Sequence, residues 1–170
     1  MQSKSDIYIG IDPGYSVCGI AVVTRTSGEL VYYTHLENWT PQELYNIITT
    51  NIKSYDWNIC KVGVENVHTM PGQGVASSGK FMKATGIIIG TLNGMQIPYI
   101  EITPQKWKTI STVFLVDKTE TKSQKKAKSL DFVTEKYPNC KLHESKLTKK
   151  IKIDVADAIC IATYMYENNL

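Results

Sequence analysis

Three β-rich runs stand at the start of the chain, ahead of any segment with helical periodicity, and this limits the architectures open to it. Ile7 to Ile11 is a short apolar run that stops at Asp12-Pro13-Gly14, a turn sequence. Gly19 to Thr24 and Leu30 to His35 follow, separated by a Thr-Ser-Gly-Glu hairpin turn. Three antiparallel strands are the economical reading. Thr40 then suits the N-cap of a helix, with Pro41 at its first position and Glu43 in its first turn. Leu44, Ile47, Ile48 and Ile52 supply the buried stripe. Lys61 to Glu65 reads as a buried strand ending in a carboxylate, and Asn66 to Ala76 as a loop. A long helix over about Ser77 to Asn93, a strand over Ile97 to Ile102 and a short helix from Pro104 to Trp107 come next. A lysine-rich helix from about Thr121 to Tyr137 and a last helix over about Asp154 to Asn168 complete the chain. Strands first, then strand and helix in alternation, predict an α/β fold: a mixed five-stranded sheet with helices on both faces.

With 170 residues, 42% hydrophobic and 21% charged, the sequence suits one globular domain over 1–170. Its apolar stretches are too short for a bilayer, so no membrane association is expected. The first residues run into a strand without a signal-peptide core, and Cys18, Cys60, Cys140 and Cys160 lack metal-ligand spacing. Reduced thiols and a cytoplasmic location are the expectation. Charge is distributed unevenly. Between Lys106 and Lys152 thirteen lysines face five acids, a local charge of +8, while the rest carries −5. Such a region suits a polyanion, although a solvated lysine-rich surface has the same composition. Arg25 is the single arginine. Lysine meets phosphate as a point charge, so binding should depend on backbone and shape more than on base identity.

Acids occupy positions where chemistry could use them. Asp12 ends the first strand, Glu65 ends the fourth, and Asp154 and Asp157 open the last helix three residues apart, on one face. Each has a plainer reading: a turn residue, a strand end, an N-cap, a partner for the helix dipole. Asp6, before the first strand, belongs with solvent. The company of the last pair argues otherwise, because Ile159 to Thr163 holds no charge and carboxylates entering a core need a positive partner. Oxygen ligands without a His/Cys set suit magnesium or manganese. Two such ions ~4 Å apart activate water and stabilise a leaving oxygen in phosphodiester hydrolysis.

The run Ile9-Gly-Ile-Asp-Pro-Gly-Tyr-Ser-Val-Cys-Gly-Ile-Ala-Val-Val23 resembles the opening of the RuvC family of Holliday-junction resolvases. Val64-Glu-Asn-Val67 looks like that family's second acidic motif, and Asp154-Val-Ala-Asp-Ala-Ile-Cys-Ile-Ala162 like its C-terminal one. Lys83-Ala-Thr-Gly-Ile87 falls where the family has its Ala-x-Gly helix. The resemblance spans the chain and implies an RNase H-like fold. It implies a magnesium-dependent crossover junction endodeoxyribonuclease, manganese substituting, with two ions held by Asp12, Glu65, Asp154 and Asp157. It further implies a homodimer acting on branched DNA such as four-way junctions. Cys18 stands where the family usually has threonine, and a small buried residue is expected there. His68 stands where some resolvases carry an aromatic that inserts at the junction centre. Lys108, Lys118 and Lys122 fall in the region that supplies basic groups to cleavage, and Lys125 joins them as a phosphate contact. Lys80 and Lys83, one helical turn apart, are further candidates for phosphates.

Gly86, Gly90 and Gly94 leave one stripe of the long helix without side chains, at ~1 kcal/mol each relative to alanine. Either the helix packs tightly on the sheet or it crosses a dimer axis. Trp107, between two lysines, is either a base-stacking residue or a core tryptophan under snorkelling lysines. Three other functions fit parts of the pattern: an RNase H-fold nuclease on ribosomal RNA precursors or other branched substrates, an actin-like ATPase, and a junction-binding module without catalysis. Glu65 argues against the first, the chain's length against the second, and the full acidic set against the third.

Overall fold

The computed structural model describes residues 5–52, 55–66, 74–115, 119–142 and 153–170. β1 (Ser5–Asp12), β2 (Val17–Thr24) and β3 (Leu30–Glu37) form the expected antiparallel meander. β4 (Trp57–Glu65) pairs parallel with β1, and β5 (Tyr99–Ile102) parallel with β4, so the sheet order is β3-β2-β1-β4-β5. β4 starts earlier than its hydrophobic pattern suggests. Ile59 pairs with Ile7 but Lys61 with Tyr8, leaving Cys60 as an extra residue that breaks the alternation. β5 is shorter than expected. Ile97 instead closes the preceding helix, its N–H donating to the Leu92 carbonyl after a left-handed Gln96.

The helices are α1 (Pro41–Asn46), α2 (Val75–Gly94), α3 (Pro104–Trp107), α4 (Lys122–Lys136) and α5 (Ile153–Glu167). Thr40 caps α1 as expected: its hydroxyl accepts the Glu43 N–H while Glu43 Oε2 accepts the Thr40 N–H at 2.7 Å. Thr121 and Gln124 repeat this box at α4. Past α1 the chain widens into a six-residue π-helical stretch, Ile47–Ile52, that keeps Ile48 and Ile52 buried.

Alternation sends each strand's residues to opposite faces. Ile7, Ile9, Ile11, Ile20, Val22, Val62 and Val64 meet Leu44 of α1, Ile48 of the π-helical stretch and Ile88 and Leu92 of α2. On the other face Tyr8, Ala21, Val23 and Ile102 pack with α3, α4 and α5. Helices therefore cover both faces, as the sequence predicts. α5 lies directly on strand backbone where glycine interrupts the side chains. A Cβ at Gly10 would come within 2.2 Å of the Ala158 carbonyl oxygen, and one at Gly19 within 2.1 Å of the Asp154 carbonyl oxygen. The glycines of α2 behave differently. Among the described residues nothing lies within 4 Å of where a Cβ would stand at Gly86, Gly90 or Gly94, so their stripe does not pack on the sheet. Among the described residues no helix is long and apolar enough to cross a membrane.

Candidate active site

The register places the site before any side chain is considered. Asp12, the last residue of β1, stands opposite Gly19 on β2, and Gly19 stands opposite His35 on β3. Since Gly19 has no side chain, the first turn of α5 rests on it and brings Asp154 and Asp157 to the end of β1. Glu65 ends β4 on the same face, 7% exposed. Four acids from three segments that are remote in sequence thus meet at one end of the sheet.

Their electrostatics record the crowding. Burial, then the charges of Glu65, Asp157 and Asp154, push the Asp12 carboxyl well above the carboxylate range, and it hydrogen-bonds with Glu65. Burial raises Glu65 as well, opposed by its bonds to Trp107 and Asp12 and by the charge of Lys108. Asp157 is pushed up to about 7, mainly by burial, with a hydrogen bond from Ser129 and the charge of Lys108 acting against it. Like charges enclosed together retain protons unless a cation compensates them.

Three partners hold these acids in place. The Trp107 indole N–H donates to Glu65 Oε1 at 2.8 Å, the Ser129 hydroxyl donates to Asp157 Oδ1, and His35 Nδ1 lies 2.5 Å from Asp154 Oδ2. His35 Nε2 faces Glu37 at 3.0 Å. Each of the three acids keeps one carboxylate oxygen outside these bonds. Among the described residues no three His, Cys, Asp or Glu side chains are already closed around one point as ligands. Asp12 has no basic residue among the groups that shift it.

The structure thus brings together Asp12, Glu65, Asp154 and Asp157, with Lys108 beside them, its Nζ 5.0 Å from the Trp107 ring. Trp107, 1% exposed, is a core residue and not a free stacking surface, and its N–H serves Glu65. Asp154 is the second residue of α5, inside its first turn. Cys18 is buried as expected, and Asp6 stays apart, bonded to Arg25 and Asn58. Lys80 and Lys83 lie on α2, and Lys125 is exposed on α4. Lys122 opens α4, its side chain outside what the structure describes; His68 and Lys118 lie outside the described residues altogether. Two lysines of the basic segment are spent internally: Lys128 pairs with Glu120 and Lys136 with Glu167. His35 and Ser129 escape sequence reasoning. The available signal for His35 is its place in the β3 alternation, which identifies a face only once the register with Gly19 is known.

No protein-family model matches the sequence, and no curated protein sequence matches it. Solved structures do match. RuvC from T. thermophilus, in complex with Holliday junction substrate, is 15% identical with a TM-score of 0.60, covering 96% of this chain and 94% of that one. The Fowlpox virus resolvase, solved with substrate Holliday junction DNA, is 19% identical with a TM-score of 0.60 over 96% of this chain and 99% of that one. The yeast mitochondrial Holliday junction resolvase Ydc2 is 12% identical with a TM-score of 0.55, covering 96% and 78%. The fold of this chain is therefore the RNase H-like fold in the form shared by RuvC and the Fowlpox virus resolvase.

Proposed function

We propose that this chain is a divalent-metal-dependent endonuclease that resolves four-way DNA junctions as a symmetric homodimer. The observation that carries the reading is the meeting of Asp12, Glu65, Asp154 and Asp157 at one end of the sheet, three of them held above their ordinary protonation range. The donor set fits magnesium or manganese: hard oxygens, a second carboxylate oxygen on Asp154 and Asp157 outside the His35 and Ser129 bonds, and an Asp12 that no base among the described residues shifts. Those four residues would hold the metal, which supplies water activation and stabilisation of the leaving oxygen. Trp107, Ser129 and His35 orient the ligands. Lys108, beside the cluster, is assigned to a phosphate there, and Lys80, Lys83, Lys118, Lys122 and Lys125 are assigned to the DNA backbone further out.

Branched DNA is the favoured substrate because relatives in fold were solved with Holliday junction DNA over nearly the whole of this chain's length. Resolution needs two cuts, and two sites about a two-fold axis match the junction's own symmetry. The glycine stripe of α2, with nothing against it among the described residues, offers a face on which a second copy can approach closely.

The test is incubation with magnesium and end-labelled four-way, flap, linear duplex and RNA–DNA substrates, for wild type and for Asp12→Asn, Glu65→Gln and Asp157→Asn. Wild type should cut the four-way junction in pairs, and each amide variant should lose about 10³-fold or more in rate while binding the junction within a fewfold. Junction binding without cleavage by wild type would leave a binding module. Preferred cutting of RNA–DNA would replace the substrate.

A further inference from the structure

Just past Asp12 the chain exposes an aromatic ring: Tyr15 is 47% exposed, at the turn between β1 and β2. Beside it lies a cavity of about 290 Å³. Its apolar side is formed by Trp39, Ala84 and Ile87, and its polar side by Ser16, Asn38 and Lys83. Lys80 Nζ stands 5.5 Å from the centre of the Tyr15 ring, so a second cation borders the same space.

The walls of this hollow are fixed by bonds within the fold, and its polar edge is open to solvent. The Trp39 indole N–H donates to the Gly14 carbonyl at 2.8 Å, which pins the ring as a wall with no polar atom to offer. The Asn38 N–H donates to the Ser16 carbonyl at 2.7 Å, and Asn38 adopts the left-handed conformation that asparagine tolerates, φ 46°. Among the described residues neither the Asn38 amide nor the Ser16 hydroxyl has a hydrogen-bond partner, and neither Lys80 nor Lys83 has a carboxylate partner. One face is therefore aromatic and aliphatic, one edge can both donate and accept, and two ammonium groups without a carboxylate partner among the described residues border it, Lys80 beside the Tyr15 ring.

A nucleotide combines these same complements: a flat ring with a stacking face, an edge of donors and acceptors, and an anionic phosphate. A base within a duplex has both faces covered by its neighbours, so only one that leaves the stack can present a face to Tyr15. Tyr15 follows Asp12 by three residues, which span at most about 11 Å of chain. At roughly 3.4 Å per nucleotide along a strand, this lies within about three nucleotides of a phosphate at the carboxylates.

We propose that the hollow between Tyr15 and α2 receives one unstacked nucleotide of the strand lying at the carboxylate cluster. Its base stacks on Tyr15, its edge meets Asn38, and its phosphates meet Lys80 and Lys83. The inference rests on the nuclease reading for which strand is bound, but its test needs no cleavage. Four-way junctions carrying 2-aminopurine at single positions around the crossover are titrated with the full-length protein in EDTA. Wild type should change the fluorescence strongly at one position and little at its neighbours. Tyr15→Ala should abolish that signal and weaken binding roughly 5- to 150-fold, whereas Tyr15→Phe should retain both. Lys80→Ala and Lys83→Ala should each flatten the log–log salt dependence of binding by about 0.9. Tyr15 is exposed, so thermal melting should show each variant folded. A signal identical in wild type and Tyr15→Ala, or no position that responds, overturns the proposal. Absence of cutting by wild type with magnesium overturns the nuclease reading and leaves the nucleotide site standing on its fluorescence signal.

Discussion

The two faces of the sheet are made from alternate residues of the same strands, yet they receive their helices differently. Towards α1 and α2 the strands present Ile7, Ile9, Ile11, Ile20, Val22, Val62 and Val64, an unbroken aliphatic layer. Towards α5 they present glycine at positions 10, 19 and 63, where any Cβ would strike helix backbone or the side chains of Met165, Ile102 and Ile161. Branched side chains keep a helix at a distance and bind it by interdigitation. Their absence lets the helix axis drop until its carboxylates stand level with those of the strands. Both faces bury an apolar core, but only the α5 face also sets the positions of the acids.

The largest effect expected from this contrast is on the close face. Gly19→Val puts a side chain where the Asp154 carbonyl stands, and no rotamer relieves a clash with backbone. Overpacking ordinarily costs about 1–3 kcal/mol, and this variant should lie at or beyond the top of that range and lose cleavage entirely. Ile9→Ala, one strand over and on the other face, should cost about 2–5 kcal/mol through its cavity. It should nevertheless cut within about twofold of wild type per folded molecule, since ~0.4 kcal/mol at the site is the most a remote cavity is expected to transmit. Urea denaturation with cleavage assays on the folded fraction measures both. If the two variants lose activity alike, the faces do not differ in kind.

His35 sharpens the comparison because it reaches α5 from the strand beside Gly19, where no side chain stands between. His35→Ala should raise the magnesium concentration for half-maximal cleavage about 10-fold or more, with melting temperature little changed. Unaltered metal dependence would reduce His35 to a packing residue.

The smallest effect is electrostatic. Asp157 holds its proton up to about pH 7 in the folded chain but would lose it near 3.8 when unfolded. The folded state thus binds the extra proton between these values. Its contribution is complete below about 3.8 and is lost as pH rises through about 7. A cation at the cluster competes with that proton. The rise in melting temperature on adding magnesium should therefore be larger at pH 8 than at pH 5.5, by about 2–6 °C, and Asp157→Asn should remove most of the difference. An equal rise at both pH values would mean that the metal binds elsewhere.

Much of this is legible in the sequence, for physical reasons that also mark where legibility stops. The first three strands show as alternation bounded by turn residues, and Thr40 and Glu43 announce α1 through a box contained in four residues. The bulge at Cys60 hides the first half of β4, because an extra residue inverts the pattern from which strands are recognised. The acids are visible because each ends or opens an apolar element. Ser129 and His35 are not, since a hydroxyl on a lysine-rich helix and a histidine on an edge strand acquire meaning only from partners far along the chain. Glycine is legible only in part. In a helix it is conspicuous, so the stripe of α2 draws the expectation of packing on the sheet or across a dimer axis, yet on the sheet the intimate contacts belong to the strand glycines.

The approach of α5 to Gly10 and Gly19 also has a consequence in time. Asp12 is in β1 and Asp154 and Asp157 are in α5, so synthesis delivers the two halves of the cluster far apart in time. A nascent chain that has emerged as far as α4 can already pair all five strands, but it holds only Asp12 and Glu65 of the four acids. Contacts this distant in sequence form slowly and late. The carboxylate cluster therefore comes into being only when α5 docks, so a chain with its sheet formed and α5 undocked lacks half of its acids. Docking of α5 and assembly of the site are one event.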